Sequence, residues 1–363
     1  MSLQDLRKAT DEIDVKIIKL FGERLRLSRQ IGQEKKESQK PIEDRLREAQ
    51  VIKNIRDLAK KEGISPEDTE RIYKLVIKAS KSVQGMEVGF QGEPGAYSQE
   101  AAVSFFGPSV ETGPFDTLEE IFAAVQAGTL PYGIVPVENS QVGSITRTYD
   151  LLLDTDVMVR GETQIKITHY LIANKGATLE SIKKVYSHPQ ALAQCAGYLK
   201  MLGAEVIPTY DTAGSVRMIK EEKIQDGAAI ASAKAAQIYD MKILASEIED
   251  NHNNTTRFFI LSSQDAPPSG NDKTSIVFLL QHKPGTLYEA LRAFADRKVN
   301  LTKIESRPTR LKPWEYNFYL DFEGHRKDPA MQEALEHLKQ NSTFLKVLGS
   351  YPRATAVLKE FEK

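Results

Sequence analysis

The chain has 363 residues, 40% of them hydrophobic and 27% charged, proportions that are ordinary for a globular protein of two or three domains. Its formal net charge of −1 gives no overall field that would draw it to nucleic acid or to anionic lipid. With Cys195 as the only cysteine, no metal-ligand spacing among the six His, and neither a signal peptide nor a membrane span, we predict a cytoplasmic protein without disulfide, metal or cofactor.

Residues 1–85 have the pattern of three helices. Apolar residues recur every three or four positions along a long first helix, as in Ile13, Ile17 and Leu20, and Pro41 and Pro66 suit the first turns of the next two. Helices this long cannot easily bury their apolar stripes within so few residues. The pattern therefore favours an intertwined helical homodimer, with a homotetramer as the alternative.

Cations are in excess in this region, with 20 Lys and Arg against 15 Asp and Glu. The excess is either a solvated helical face or a means of binding a small anion. Arg24 stands in the apolar stripe, and Lys35, 11 residues later, falls within about 20° of it on the helix and about 16 Å along the axis. A charge in such a stripe is costly unless it is used, although an arginine can also extend to water from its edge.

Residues 86–263 change to an α/β pattern of short apolar runs separated by polar loops and helices, which predicts mainly parallel sheets. Polar clusters follow several strands, at Glu138-Asn139-Ser140, Ser187-His188 and Asp211-Thr212. Because open α/β sheets bind ligands beyond their strand ends, these clusters predict a cleft for a small dicarboxylate, although each could simply cap a helix. The glycine-rich run GFQGEPGAYS fits neither dinucleotide- nor nucleotide-binding loops.

The run of residues 264–272 is predicted to be a linker. Residues 273–363 follow, with a βαββαβ pattern typical of ferredoxin-like modules: strand 274–281, helix 284–297, strands 300–306 and 314–323, helix 329–340 and strand 344–350. The fold class is therefore multidomain, with all-α, α/β and α+β parts in that order.

The first region resembles the all-helical chorismate mutase family. LRKATDEID, the lysine of QEKK, KPIEDRLRE and the SKSVQ ending carry the resemblance across essentially all of residues 1–85. It implies that Arg7 of the other subunit, Arg24 and Arg47 hold the carboxylates of chorismate. It also implies that Lys35 and Gln84 donate to the ether oxygen, and that Asp44, Glu48 and Ser80 contact its hydroxyl and polar edges. A pericyclic rearrangement needs only such positioning and charge stabilisation.

The central region resembles prephenate dehydratases, through GFQGEPGAYSQEAA, VPVENSQVGSI, YSHPQALAQC and NNTTRFFIL. This resemblance implies a two-lobed fold like that of periplasmic binding proteins, with the site between the lobes. The implied site residues are Asn139, Ser140, Ser187, Gln194, Thr256 and Arg257. Thr256 is the proton donor favoured in that family, although a threonine may only orient the leaving hydroxyl. His188 is a less favoured acid.

The last region resembles the ACT domain of dehydratases. PGTL at 284–287 and ESRP at 305–308 match its two phenylalanine-binding motifs, although GTLY stands where a GALV-like run is typical. The resemblance implies that L-phenylalanine binds between two such domains and inhibits the dehydratase. The implied effector-binding residues are Gly285, Thr286, Leu287, Asn300, Leu301, Glu305, Ser306 and Arg307. The alternative is a dimerisation module that no longer binds an effector.

Together these resemblances predict a bifunctional enzyme of phenylalanine synthesis. It would convert chorismate to prephenate and then to phenylpyruvate, with no cofactor, nucleic acid or membrane involved. A central domain that prefers arogenate, the amino counterpart of prephenate, is one alternative. A regulatory binding protein with decayed sites is another, and it predicts that neither reaction occurs.

Overall fold

The computed structural model describes residues 2–37, 45–82, 87–108, 110–309 and 315–354. Its contacts divide the chain into two compact units. The first consists of residues 1–87 and 102–112, and the second of residues 88–101 and 113–363.

The first unit contains the three helices that its periodicity predicts, α1 Leu3–Glu37, α2 Arg45–Lys61 and α3 Pro66–Ser82. Ser65 precedes α3, and its hydroxyl accepts a hydrogen bond from the Asp68 N–H at 3.2 Å, which caps the helix start. Arg56 of α2 pairs with Glu67 of α3 at 2.9 Å and thereby ties these helices together. The position of Pro41 lies outside the described residues.

The apolar stripe of α1 stays exposed in one chain. Ile13, Ile17, Leu20 and Leu27 are between 54% and 64% exposed, although they recur at helical spacing. A row of large apolar side chains in water is unfavourable unless another surface covers it.

Most of the second unit's first part is a central domain of two sheets. The elements of this domain are β1 Glu87–Gln91, α4 Tyr97–Phe106, β2 Glu111–Phe115, α5 Leu118–Gln126, β3 Tyr132–Asn139, β4 Gly143–Ser144, α6 Thr146–Asp154, β5 Met158–Lys166, β6 Tyr170–Ala173, β7 Lys184–Ser187, α7 Pro189–Gln194, α8 Ala196–Leu202, β8 Glu205–Pro208, α9 Thr212–Glu221, β9 Gly227–Ala231, α10 Ala233–Ile238, β10 Lys242–Ala245 and β11 Thr255–Ser262, of which residue 87 and residues 102–112 fall in the first unit. One sheet has the order β2-β1-β3-β11-β5, with β4 beside β3, and the other has the order β10-β6-β9-β7-β8.

The prediction of mainly parallel sheets is wrong. β1 and β3 are parallel, as are β7 and its neighbours β8 and β9, but β11 runs antiparallel to both β3 and β5. The reason is the path of the chain, which builds the second sheet and then returns to the middle of the first in the opposite direction. This return places β11 beside β3, so that residues far apart in sequence meet at the end of the same sheet.

The C-terminal domain has the predicted βαββαβ order, with β12 Asp272–Leu279, α11 Thr286–Ala295, β13 Leu301–Pro308, β14 Tyr316–Glu323, α12 Pro329–Asn341 and β15 Phe344–Pro352. Its sheet order is β13-β14-β12-β15, the ferredoxin-like arrangement. Apolar residues of both helices, such as Phe294 and Leu338, pack on one face of the sheet and form a core of their own.

The other face of this sheet packs on the first sheet of the central domain. Val159, Phe259, Val277 and Tyr351 belong to one buried core that crosses the two domains. Gly349 of β15 approaches the backbone of Val159 so closely that a Cβ there would overlap the Val159 carbonyl.

Of the predicted linker, residues 264–272, all but Asp272, which begins β12, are irregular, and the linker is hydrogen-bonded to the C-terminal domain. The Ala266 N–H donates to the Ser350 carbonyl at 3.0 Å, and Asp265 pairs with Arg326 at 2.8 Å. The linker also contacts the central domain, where Arg160 donates to the Asp265 carbonyl at 3.1 Å, so it bridges the two domains.

Candidate functional site

A cleft of about 420 Å³ opens between the two sheets of the central domain. Its walls come from both lobes, and most of the side chains that line it carry a polar group, which can orient a small polar ligand. The lining residues are Gln91, Gly92, Glu93, Ala96, Tyr97, Ser98, Asp116, Pro136, Asn139, Ile145, Ile167, His169, His188, Gln190, Ala191, Gln194, Tyr210, Asp211, Thr212, Thr256 and Phe258.

Asn139 and Thr256 form a fixed pair on one wall. The register of β3 and β11 sets them opposite each other, and Asn139 Nδ2 donates to Thr256 Oγ1 at 2.9 Å and to Asn254 Oδ1 at 2.7 Å. Asn139 Oδ1 in turn accepts from the Gln141 and Val142 N–H groups at 3.0 and 3.1 Å. Because the Thr256 oxygen already accepts a hydrogen bond, its own O–H is left to donate into the cleft.

Gln194 lies on the opposite wall, against His169. The His169 Nε2 atom is 2.9 Å from Gln194 Oε1, and its Nδ1 atom is 3.1 Å from the Tyr97 hydroxyl, which donates to the Thr168 carbonyl at 2.6 Å. Among the described residues, the buried Gln194 amide nitrogen has no partner. An unsatisfied donor in a cleft wall is suited to a ligand oxygen.

His169 is a residue that the sequence analysis missed, because it stands in no motif. It is only 2% exposed, and burial lowers its pKa, although Gln194 and Glu249 oppose that shift. Burial therefore favours the neutral form of the ring, which packs against Gln194 through its Nε2 atom. His188, the tempting acid of the sequence, also lines the cleft, where its Nδ1 accepts from the Gln190 N–H at 3.2 Å and caps α7.

The glycine-rich run forms the cleft floor for a steric reason. Gly95 has φ +95°, and a Cβ there would stand 2.7 Å from Cα of Ala235 in α10. The Ser232 hydroxyl donates to the Gly95 carbonyl at 2.7 Å, which fixes this loop of one lobe against the other. The run thus serves close backbone packing between the lobes.

Two further predicted site residues lie beside the cleft and not in its wall. The Ser187 hydroxyl is buried and donates to the Ile230 carbonyl at 2.6 Å. The Ser140 hydroxyl donates to the Asn253 carbonyl and accepts from the Thr255 N–H, both at 3.0 Å. The Ser140 hydroxyl fastens the backbone that carries Asn139 and Thr256, whereas the Ser187 hydroxyl ties β7 to β9 in the other sheet.

The structure does not bring Arg257 to the cleft with Thr256. Adjacent residues of a strand point to opposite faces, so Thr256 faces the cleft while Arg257 faces the C-terminal domain. Its guanidinium donates to Glu162 at 2.7 Å and to Asp321 at 2.6 Å. Burial opposes this charge, but Asp321, Tyr351 and Glu162 outweigh it and raise the pKa of Arg257.

A cation stands at the cleft edge on α9. Arg217 pairs with Glu93 at 2.8 Å and donates to the Tyr210 hydroxyl at 3.2 Å, and both partners line the cleft. The pair joins a loop after β1 to the helix of the opposite lobe.

In the first unit, the structure brings together two of the predicted mutase residues. Arg24 of α1 donates to the Ser80 hydroxyl of α3, which is 5% exposed, and to the Val76 carbonyl at 3.4 Å. Arg7 and Arg47 are exposed and Glu48 is half-buried. The side chain of Lys35 and the whole of Asp44 and Gln84 lie outside the described residues.

A second pocket, of about 310 Å³, lies in the C-terminal domain. Gly285, Thr286 and Leu287 line it together with Tyr316 and Phe318 of β14. The other five predicted effector residues do not line it. Asn300 and Leu301 flank the start of β13, whose even positions, Ser306 among them, are exposed, whereas Glu305 and Arg307 face the central domain.

Three family descriptions match successive parts of the chain. Chorismate mutase type II matches residues 6–85, Prephenate dehydratase matches residues 88–266, and ACT domain matches residues 274–339.

Curated relatives match the chain over nearly its whole length. The "Bifunctional chorismate mutase/prephenate dehydratase" of Aquifex aeolicus is 39% identical over 97% of this chain and 98% of its own, and that of Pseudomonas aeruginosa is 37% identical over 97% and 98%. The "Arogenate dehydratase/prephenate dehydratase 2, chloroplastic" of Arabidopsis thaliana is 44% identical over 75% of this chain and 74% of its own.

Two solved structures each match 74% of the chain. The prephenate dehydratase of Arthrobacter aurescens in complex with L-Phe has a TM-score of 0.69 and 32% identity, covering 74% of this chain and 90% of that one. A structure titled "GqqA- a novel type of quorum quenching acylases" has a TM-score of 0.69 and 34% identity, covering 74% and 98%.

Proposed function

Because the chain belongs to the bifunctional chorismate mutase/prephenate dehydratase family, we propose that its two reactions take place at separate sites, one in each unit. The enzyme rearranges chorismate to prephenate and then converts prephenate to phenylpyruvate, with feedback by phenylalanine. Phenylalanine is the effector and the two acids are the substrates. The observation that carries the site proposal is the Asn139–Thr256 pair in the cleft wall.

The dehydratase site is the cleft between the two sheets, with Asn139, Gln194 and Thr256 as its contact residues. Prephenate must lose its ring hydroxyl as water and its ring carboxylate as carbon dioxide, and one proton is taken up at the hydroxyl. The Thr256 O–H is placed to donate a hydrogen bond to that hydroxyl, because Asn139 occupies its oxygen. The unpaired Gln194 amide would bind a substrate oxygen, and Ser140 and Ser187 hold the loops in place.

Arg217 is the cation that we propose for the substrate carboxylate. A dianionic substrate needs a positive partner, and the described side chains that line the cleft include no Lys or Arg. Arg217 would exchange Glu93 for the carboxylate as the substrate enters.

The mutase site is built around the Arg24–Ser80 contact. Arg24 would bind a chorismate carboxylate, with Arg7 supplied by the partner copy and Arg47, Lys35, Asp44, Glu48 and Gln84 completing the set. The exposed stripe of α1 supports a homodimer, since a second copy would cover it. A homotetramer and a cytoplasmic location stay predictions.

The effector site is the pocket at Gly285, Thr286 and Leu287. The domain boundaries that we propose, 1–85, 86–263 and 273–363 with a linker at 264–272, separate the three functions.

Paired knockouts test the two active sites. Arg24→Ala should lower chorismate consumption about 10²–10³-fold, the loss typical of a charge-stabilising donor, while phenylpyruvate still forms from added prephenate. Thr256→Ala should lower phenylpyruvate formation about 10²–10⁴-fold and spare the mutase. Thr255→Ala, on the same strand, is the matched control.

The outcomes separate the alternatives. Loss of both activities in either variant would contradict two separate sites. Prephenate that accumulates in the wild type, while arogenate is converted to phenylalanine, would assign the cleft to arogenate. A wild type that consumes neither substrate but binds phenylalanine would make the chain a regulatory binding protein.

A further inference from the structure

Two residue pairs lie side by side across β3 and β11 and face opposite ways. The register sets Asn139 opposite Thr256 and, one position along, Glu138 opposite Arg257. The first pair faces the cleft. The second pair faces the C-terminal domain, because side chains alternate along a strand. The same two strand ends therefore contact the cleft on one side and another domain on the other.

Arg257 is held by a closed ring of hydrogen bonds with the C-terminal sheet. It donates to Asp321 of β14 at 2.6 Å and to the Tyr351 hydroxyl of β15 at 3.0 Å. Tyr351 and Ser275 of β12 are hydrogen-bonded at 2.6 Å, and Ser275 donates to the other Asp321 oxygen at 2.6 Å. All four residues are at most 8% exposed, so a shift of any one of them displaces the guanidinium.

Charge around this ring is balanced across the domain boundary. Glu162 of β5 accepts from Arg257 and also pairs with Lys273 of β12 at 3.1 Å. Arg257 and Lys273 thus face Glu162 and Asp321, and Glu138, which pairs with Lys303, also lies 3.8 Å from Arg257, so both domains supply charges of each sign. Buried ion pairs of this kind favour one geometry, because a charge that loses its partner is left uncompensated.

Glu138 is held by the C-terminal domain in the same way. Lys303 of β13 donates to Glu138 at 3.0 Å and to the Ser144 hydroxyl at 2.7 Å, and it pairs with Glu305 at 3.2 Å. Glu305 and its neighbour Arg307 therefore contact the central domain, and Arg307 pairs with Asp150 at 2.9 Å.

One strand leads from the effector pocket to this contact. Tyr316 and Phe318 of β14 line the pocket, and Asp321 stands three residues further along the same strand, about 10 Å away at the usual rise per residue. Leu280, another pocket residue, directly follows β12, which carries Ser275. A ligand that moves these strands moves the partners of Arg257.

We propose that Glu138 and Arg257 are positioning residues through which the C-terminal domain sets the geometry of the Asn139–Thr256 pair in the cleft. Arg257 acts through the strand it shares with Thr256 and does not touch the substrate. The proposal rests on the proposed function of the cleft and of the effector pocket. It assigns the adjacent residues Thr256 and Arg257 separate roles, one on each face of β11.

The test measures coupling in the full-length chain. Coupling is the factor by which saturating phenylalanine lowers kcat/KM for prephenate. Because it is a ratio of two values for the same variant, a change in that variant's basal activity cancels. Tyr351→Phe removes the hydroxyl that takes part in the closed ring of hydrogen bonds, and Asp321→Asn removes the charge that Arg257 contacts. Each variant should reduce the coupling factor at least about fivefold, which is the lower range of allosteric couplings. Glu323→Gln, on the same strand but paired with the exposed Arg353 at 2.5 Å, should leave it unchanged.

Two further measurements distinguish a loss of coupling from a loss of stability or of phenylalanine binding. Calorimetry should show that both variants still bind phenylalanine, and thermal unfolding of Tyr351→Phe should stay close to that of the wild type. A wild-type coupling factor in both variants would overturn the proposal, as would a factor lost only together with phenylalanine binding or with the folded state. A wild type that forms no phenylpyruvate would overturn the proposed function and this inference with it.

Discussion

The helical unit and the cleft of the central domain differ in how much of a site one copy of the chain supplies. The cleft is walled by two sheets of the same chain, and its Asn139–Thr256 pair is already hydrogen-bonded. The helical unit joins Arg24 to Ser80 but leaves Leu20, one turn away, 64% exposed. This difference supports the proposal that the first activity needs a pair of chains, whereas the second can be complete in one.

A charge in the exposed stripe of α1 should give the largest effect. Leu20→Asp should lower mutase kcat/KM about 10²–10³-fold, because the partner copy and its Arg7 would be lost from the site. Dehydration of added prephenate should persist. The measurement is a pair of assays on one preparation, with molecular mass by light scattering.

Lys19→Asp puts the same side chain beside the stripe and should change the mutase far less. Full mutase activity in a monomeric Leu20→Asp protein would break the comparison, because the helical site would then be complete in one chain.

The sequence predicted the elements well because their periods are local. The helices of the first unit and every element of the C-terminal domain follow from residue spacing and from helix-start signals such as Pro66. The direction of β11 could not be predicted, because it depends on where the chain re-enters a sheet more than 100 residues after β3.

The site was predictable only in part. Motifs identified Asn139 and Thr256 but placed Arg257 with them, although strand alternation in TTRFF would have turned it to the other face. His169 carries no motif, and its role appears only when β6 and α7 bring it to Gln194. The residues ESRP matched an effector motif, yet Glu305 and Arg307 contact the central domain.

Gly349 tests how strongly the second unit depends on the packing of its C-terminal sheet against the central domain. Gly349→Ala would force a Cβ into the carbonyl of Val159, where backbone and not a flexible side chain must yield. We expect a loss of about 3 kcal/mol in the free energy of unfolding of the second unit, the upper range for overpacking. Denaturant unfolding measures it, and phenylalanine inhibition should weaken with the docking of the two domains.

Gly113→Ala is the matched control, because a Cβ there would meet only ordinary contact with Phe115 at 3.9 Å. An unchanged midpoint of denaturant unfolding for Gly349→Ala would mean that the C-terminal sheet and the first sheet of the central domain can move apart without loss of stability.

The smallest expected effect is a difference between the two units in how their free energies of unfolding depend on pH. All six His follow residue 85, and burial lowers the pKa of His169 in the folded state. Above pH 6.5 the ring is neutral in both states; as pH falls through 6.5, the unfolded chain binds a proton that the folded chain does not. The second unit should therefore lose up to about 1.4 kcal/mol per pH unit from this group, until the folded pKa is reached.

Denaturant unfolding between pH 7.5 and 5.5 tests this sign. His169→Gln should flatten the decline of the second unit. Because the helical unit has no histidine, its unfolding should not change slope in this variant. A slope that persists in His169→Gln would assign the acid sensitivity to carboxylates, and the buried ring beside Gln194 would then have no part in it.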